Sequence, residues 1–149
     1  MRKLFWIFLG FIGLLFSSCE LERSDNGDLD GFWHLTAVDT LATGGHGDLS
    51  EAKVFWAFQV RLVRLRRTDT DFLDNGVVAH FTYKGNELLF SAPSWHHREQ
   101  GDPLIKEEEK ELLALYGVSK LEQCFKVIQL NSKRMILQTD VLRLTFDKM

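Results

Sequence analysis

Residues 123–146 read QCFKVIQLNSKRMILQTDVLRLTF. The stretch divides into three short apolar runs, 123–130, 135–138 and 141–146, separated by the polar turns Asn131-Ser132-Lys133 and Thr139-Asp140. In the last run Leu142, Leu144 and Phe146 fall on one side, and Val141, Arg143 and Thr145 on the other. A period of two is strand geometry, because successive side chains leave opposite faces of a pleated backbone. Short strands in such close succession predict an antiparallel meander, closed as a barrel or packed as a sandwich.

Working back along the chain, the same pattern recurs. Residues 77–83 and 87–91 flank Lys84-Gly85-Asn86, a hairpin signal because Gly and Asn tolerate positive φ. Trp56, Phe58, Val60 and Leu62 alternate with Ala57, Gln59 and Arg61, after which Val63 and Leu65 fall on the opposite face. A bulge near Leu62-Val63 is expected to re-phase this strand. Residues 32–40 form a further strand that stops before the turn cluster Gly44-Gly45-His46-Gly47. One segment differs. Asp102 as N-cap, Pro103 at the first turn and Gly117 at the end predict a helix over 104–116, with Leu104, Ile105, Leu112, Leu113 and Tyr116 near one side. The fold class expected is therefore mainly β, an antiparallel up-and-down barrel of about eight strands with one helix inserted before the C-terminal strands.

Charge and motif content narrow the function. The formal net charge is −3, and no basic stripe offers phosphate neutralisation, so nucleic acid is not an expected partner. Arg61 and Arg64 alternate with apolar residues and read as part of a solvated strand face. The chain carries no phosphate loop, nucleophile elbow or Cys/His metal pattern, so neither catalytic residues nor a cofactor nor a metal is expected. The acid pairs Asp69-Asp71 and Asp71-Asp74 fall in a turn-rich stretch and read as a solvated loop. Cys124, beside Phe125 and Val127, is expected to be a small buried core residue. Trp95, His96 and His97 lie in a long connection, 91–101, ahead of the helix. Loops of that length often carry function, so these three residues, with Trp56 and Tyr116, are the candidate ligand or partner contacts. The bland alternatives are a packed Trp95 with solvated neighbours and a Trp56 in the core.

Gly31-Phe32-Trp33 opens the first strand and resembles the Gly-x-Trp signature of lipocalins. The resemblance implies that Trp33 plugs the closed end of the barrel, with an Arg from a late strand over its ring, and Arg143 is the candidate. The Trp-led second strand Val54-Phe55-Trp56, the Leu-Tyr-Gly-Val stretch at 115–118 and the closing Leu-x-Leu-x-Phe-x-Lys at 142–148 are similar to the small lipocalin-like lipoproteins of Bacteroidetes-type bacteria. What this implies is a calycin-type barrel with an unidentified ligand, in a group without a shared chemistry.

The N-terminus indicates location. Arg2 and Lys3 precede an apolar run, 4–16, and Ser17-Ser18-Cys19 follows at once. Charge, short apolar stretch and small residues form the pattern of an export signal, and the run is too short to span a bilayer comfortably. Ser-Ser-Cys resembles the lipobox of bacterial lipoproteins, which implies a signal peptide over 1–18 and lipid on Cys19. Residues 19–30, with five acids, are expected to be a flexible tether, leaving 31–149 as the barrel domain. The lipoprotein resemblance implies a lipid-anchored location in the bacterial cell envelope, at the outer membrane, periplasmic or surface-exposed. Two functions remain open. One is a lipid-anchored envelope binding protein holding a small apolar ligand, which requires a cavity that Trp33, Phe58, Phe81, Phe90 and Phe125 leave unfilled. The other is a solid barrel that docks a second envelope protein through 91–116.

Overall fold

Among the described residues there are nine strands, eight of them with inward residues that face the core: β1 (Gly31–Thr40), β2 (Gly45–Asp48), β3 (Val54–Gln59), β4 (Leu62–Arg67), β5 (Val77–Lys84), β6 (Glu87–Trp95), β7 (Gln123–Leu130), β8 (Arg134–Gln138) and β9 (Leu142–Lys148). The structure, a computed structural model, describes residues 24–68 and 76–149. The signal-like segment, Cys19 and the acids Asp69, Asp71 and Asp74 lie outside those residues. All strand pairs are antiparallel, and β1 also pairs with β9, closing eight strands into a barrel. β1 shifts register between Leu35 and Ala37. Its first half pairs with β3, and its second half pairs with the short outer strand β2.

The two ends of the barrel differ. The closed end carries the turns of the β3–β4, β5–β6 and β7–β8 hairpins and a 3-10 helix at Gly27–Leu29. Leu29 is fully buried there, and its carbonyl accepts the Trp33 indole N–H at 2.8 Å. Residues 24–30 are thus packed on the barrel rather than forming part of a flexible tether. The mouth, at the other end, is covered by the connection between β6 and β7.

Several expectations are corrected by register. The cation over Trp33 is Lys148, whose Nζ lies 4.9 Å from the ring centroid, and not Arg143. Antiparallel pairing sets Trp33 opposite Lys148 and Asp39 opposite Arg143, which places Arg143 toward the mouth, where it donates to Gln138 Oε1. Lys148 also donates to the Asp28 carbonyl at 2.7 Å. Cys124 is exposed, because the period of two that buries Phe125 turns its neighbours outward. The expected bulge at Leu62-Val63 is instead a two-residue turn, Val60-Arg61, closing the pair Gln59–Leu62. Residues 45–48 are not a turn but β2, held by its backbone to β1 although its side chains are exposed. A bulge does form at Ala92 (φ 49°), beside the Val78/His80 register shift, and it accommodates Pro93 inside β6.

Two backbone positions make testable demands. Gly76 has φ +82°, and a Cβ there would lie 2.2 Å from the Leu65 carbonyl oxygen. Gly76→Ala is expected to destabilise the fold by about 3 kcal/mol in urea melts. Val60 has φ 56° at the first position of its turn, where a β-branched residue is strained and glycine is favoured. Val60→Gly is expected to raise stability by about 0.5–1 kcal/mol in the same melts, the relief of strain exceeding the added chain entropy.

Candidate functional site

The mouth is built from a strand that outruns its neighbour. Pairing between β6 and β7 ends at Phe90–Gln123, so residues 91–95 lack a β7 partner. The returning chain takes that place: Trp95 N donates to the Pro103 carbonyl and Ile105 N to the Pro93 carbonyl, each at 2.9 Å. Trp95 is therefore the end of a strand rather than a loop residue. The same pairing removes Asp102 and Pro103 from the helix, and Asp102 has φ 48°. The helix is a 3-10 helix, Glu107–Tyr116, capped by Lys106, whose amide donates to Glu109 Oε2 at 3.1 Å. It ends at Gly117 (φ 83°), where a Cβ would lie 3.0 Å from Leu144.

With three residues per turn, side chains three apart eclipse one another. Leu113 and Tyr116 share the ridge that faces into the barrel and are buried, with Ile105 and Val118 beside them. Leu112 and Leu115 share a different ridge and are each 49% exposed. Leu112 thus lies outside, contrary to the single apolar side expected from a 3.6-residue period. Leu104, outward on the preceding strand-like segment, is 64% exposed. Trp95 lies against the helix, its Nε1 donating to Glu109 Oε1 at 3.4 Å.

Beneath the helix the barrel is filled. Trp56 is fully buried, its ring centroid 5.2 Å from that of Phe146, 5.8 Å from Phe125, 6.0 Å from Phe58 and 6.4 Å from Phe90. Phe58 and Phe81 meet edge to face at 5.1 Å. The Trp56 indole N–H donates to the Tyr116 carbonyl at 3.1 Å. Trp56 and Tyr116 are therefore core residues joining the strands to the mouth segment. Trp95 is partly buried against the core and the helix, and His96 and His97 lie separately, on the rim.

His96 and His97 line a rim depression of about 370 Å³ with Arg64, Arg98, Glu99 and Gln100. The His96 side chain is mostly buried; its Nδ1 stands 3.8 Å from Asp102 Oδ1, too far for a hydrogen bond. A groove of about 680 Å³ along β7 is lined by Cys124, with Lys126 and Asp140 in its wall. Sequence reasoning passed over this groove; the outward parity of Cys124 relative to Phe125 was the available signal. Among the described residues no group of three or more His, Cys, Asp or Glu gathers as a metal set.

Burial holds the His96 pKa below the ordinary histidine value, Arg64 adds repulsion, Asp102 opposes the shift, and Arg98 and His97 reinforce it. As pH falls below about 6.5 the unfolded chain protonates this histidine while the folded chain resists. Stability is therefore lost on the acid side and unaffected by this group above it. His96→Gln is expected to flatten part of the loss between about pH 7.5 and about pH 5 in denaturation midpoints, and an imidazole NMR titration should place His96 below the ordinary histidine value.

Residues 14–149 match the family model described as a lipocalin-like domain. No curated protein matches the chain. Among solved structures, a lipocalin-like protein from Bacteroides uniformis is 22% identical, with a TM-score of 0.59, over 83% of this chain and 100% of its own. An uncharacterized protein from Bacteroides eggerthii is 19% identical, with a TM-score of 0.59, over 80% of this chain and 98% of its own. The closed eight-strand antiparallel barrel with one helix agrees with these matches, and the chain belongs to the lipocalin-like domain family.

Proposed function

We propose that this protein is a non-enzymatic, lipid-anchored adaptor of the bacterial cell envelope, held to the membrane through Cys19, whose solid barrel docks a second envelope protein on the 91–116 face. A lipocalin-like fold suggests a ligand-binding barrel, and the chemistry of the interior decides which kind of binding is supported. Trp33, Phe58, Phe81, Phe90 and Phe125 are all buried in the interior, with Trp56 among four phenylalanine rings. A small apolar ligand would have to displace Leu113 and Tyr116 from the mouth.

The observation that carries the docking reading is the outer ridge of the mouth segment. Leu112 and Leu115 stack one turn apart on a helix whose opposite ridge is fixed in the core, and Leu104 is exposed on the same segment. Glu108 and Glu111 lie on the third ridge, so the face combines leucines with a flanking row of carboxylates. Apolar side chains ringed by charge are the composition of a recognition surface. Each of these half-exposed leucines would contribute about 1 kcal/mol when fully buried on docking, roughly fivefold in affinity.

A photo-crosslinking residue at Ala114, in the protein expressed in its own host, is expected to capture a discrete envelope protein. Leu112→Glu with Leu115→Glu should abolish capture while the melting temperature is retained, and Val141→Glu, an equally exposed apolar site elsewhere, should leave capture intact. Capture that persists in the leucine double variant refutes the docking face. A small molecule lost on denaturation in native mass spectrometry would favour the ligand reading instead.

A further inference from the structure

The closed end presents a second surface, defined by where the chain leaves it. Residues 24–30 are held to the barrel: Asn26 Nδ2 donates to Asp30 Oδ1 at 2.8 Å and to the Val60 carbonyl at 2.9 Å, and Leu29 is buried. Only five residue steps then separate Cys19 from Ser24, a reach of at most about 18 Å. A ten-residue strand such as β1 spans about 33 Å before tilt, so the mouth lies well beyond that reach when the barrel stands upright.

Charge is distributed unevenly between the ends. Each hairpin turn at the closed end carries an exposed cation: Arg61, Lys84 and Lys133. Phe32 and Met149 add exposed apolar surface beside them, with Met149 N donating to the Phe32 carbonyl at 2.9 Å. Of the acids at this end, Asp147 is held by Arg134 at 2.9 Å and Asp30 by Asn26, while Asp25, Asp28 and Glu87 face solvent. The mouth helix is more acidic: Glu107 is paired with Lys110 and Lys106 caps its start, but Glu108 and Glu111 face solvent, with Glu99 beside Arg98 on the rim.

We propose that the closed end faces the membrane, resting on the anionic headgroups of the bilayer that holds the Cys19 lipid, with the mouth and its leucine ridge directed away. The proposal rests on the anchoring part of the function given above. The short linker brings the turn cations to the headgroups, where attraction acts within about 8 Å at physiological salt. The acidic helix is repelled by the same surface. Anchoring and docking then use opposite ends of one rigid barrel.

The test uses the full lipoprotein purified from membranes and reconstituted in vesicles of phosphatidylethanolamine and phosphatidylglycerol. In a Cys124→Ser background, a fluorophore is attached at Ser132→Cys on the closed end or at Ala114→Cys on the helix, and quenching by a nitroxide-headgroup lipid is measured. Quenching is expected to be several-fold greater at position 132 than at 114, and the difference should shrink when Arg61, Lys84 and Lys133 are replaced by Gln or when the vesicles carry no anionic lipid. Equal quenching, or greater quenching at 114, overturns the orientation. Mass spectrometry of the N-terminal peptide separates the two claims: lipid on Cys19 with equal quenching refutes the orientation alone, whereas an unmodified Cys19 refutes the anchor and the orientation with it.

Discussion

The indole of Trp56 lies in the barrel interior and touches rings carried by β3, β6, β7 and β9. Its one polar atom has no strand partner inside the barrel. A buried N–H left without an acceptor costs of order 1–3 kcal/mol, so the chain must bring an acceptor to it. The Tyr116 carbonyl is that acceptor, and it arrives on the segment that closes the mouth. Filling the interior and closing the mouth are therefore one event. Once Tyr116 is fixed, a three-residue period fixes Leu113 one turn back, and Gly117 must turn sharply because Leu144 leaves no room for a side chain.

The parts legible from sequence were those governed by side-chain burial. The C-terminal strands and the Gly85-Asn86 hairpin were readable because alternation and turn residues agree. The failures arose where backbone or register decides. β2 is glycine-rich and has no buried side chain to announce it. Val60 sits in a turn position where its own conformational preference argues against a turn. Arg143 and Lys148 both belong to the last strand, and only the register of closure shows which of them meets Trp33. The mouth helix ends before Gly117 as the sequence indicates, but strand-like pairing of residues 103–105 with β6 moves its start to Glu107, and a 3.6-residue period wrongly puts Leu112 inside; Leu112 and Leu113 look alike in sequence, and three residues per turn separates them.

Barrel topology alone does not determine whether an interior is empty. Eight strands enclose a space that side chains can fill or leave open to one ligand. Here the filling comes from several strands at once, with phenylalanines on β3, β5, β6, β7 and β9 around a tryptophan, and from leucine and tyrosine on the mouth segment. The two Bacteroides structures share the strand arrangement at about a fifth of sequence identity, which conveys the fold and not the size of the residues inside it. An interior of this kind gives rigidity, because close-packed rings resist compression and transmit strain rather than absorb it.

Rigidity in turn distinguishes a docking ridge from a lid. A lid needs a segment with weak attachments and a hinge, whereas the mouth segment is joined to the barrel along its whole length. Pro103 and Ile105 bond to β6, Glu109 receives Trp95, Leu113 and Tyr116 enter the core, and Gln123 holds the amides of Ser119 and Lys120. Gly101 and Gly117 adopt left-handed conformations near its ends, but Gly117 is pressed against Leu144 and serves as a cap. A ridge ordered in this way before any partner arrives loses little conformational entropy on binding, and that is the advantage of placing Leu112 and Leu115 on a helix whose other face is core. The same aromatic packing that removes room for a ligand inside thus holds the outer leucines in a fixed position.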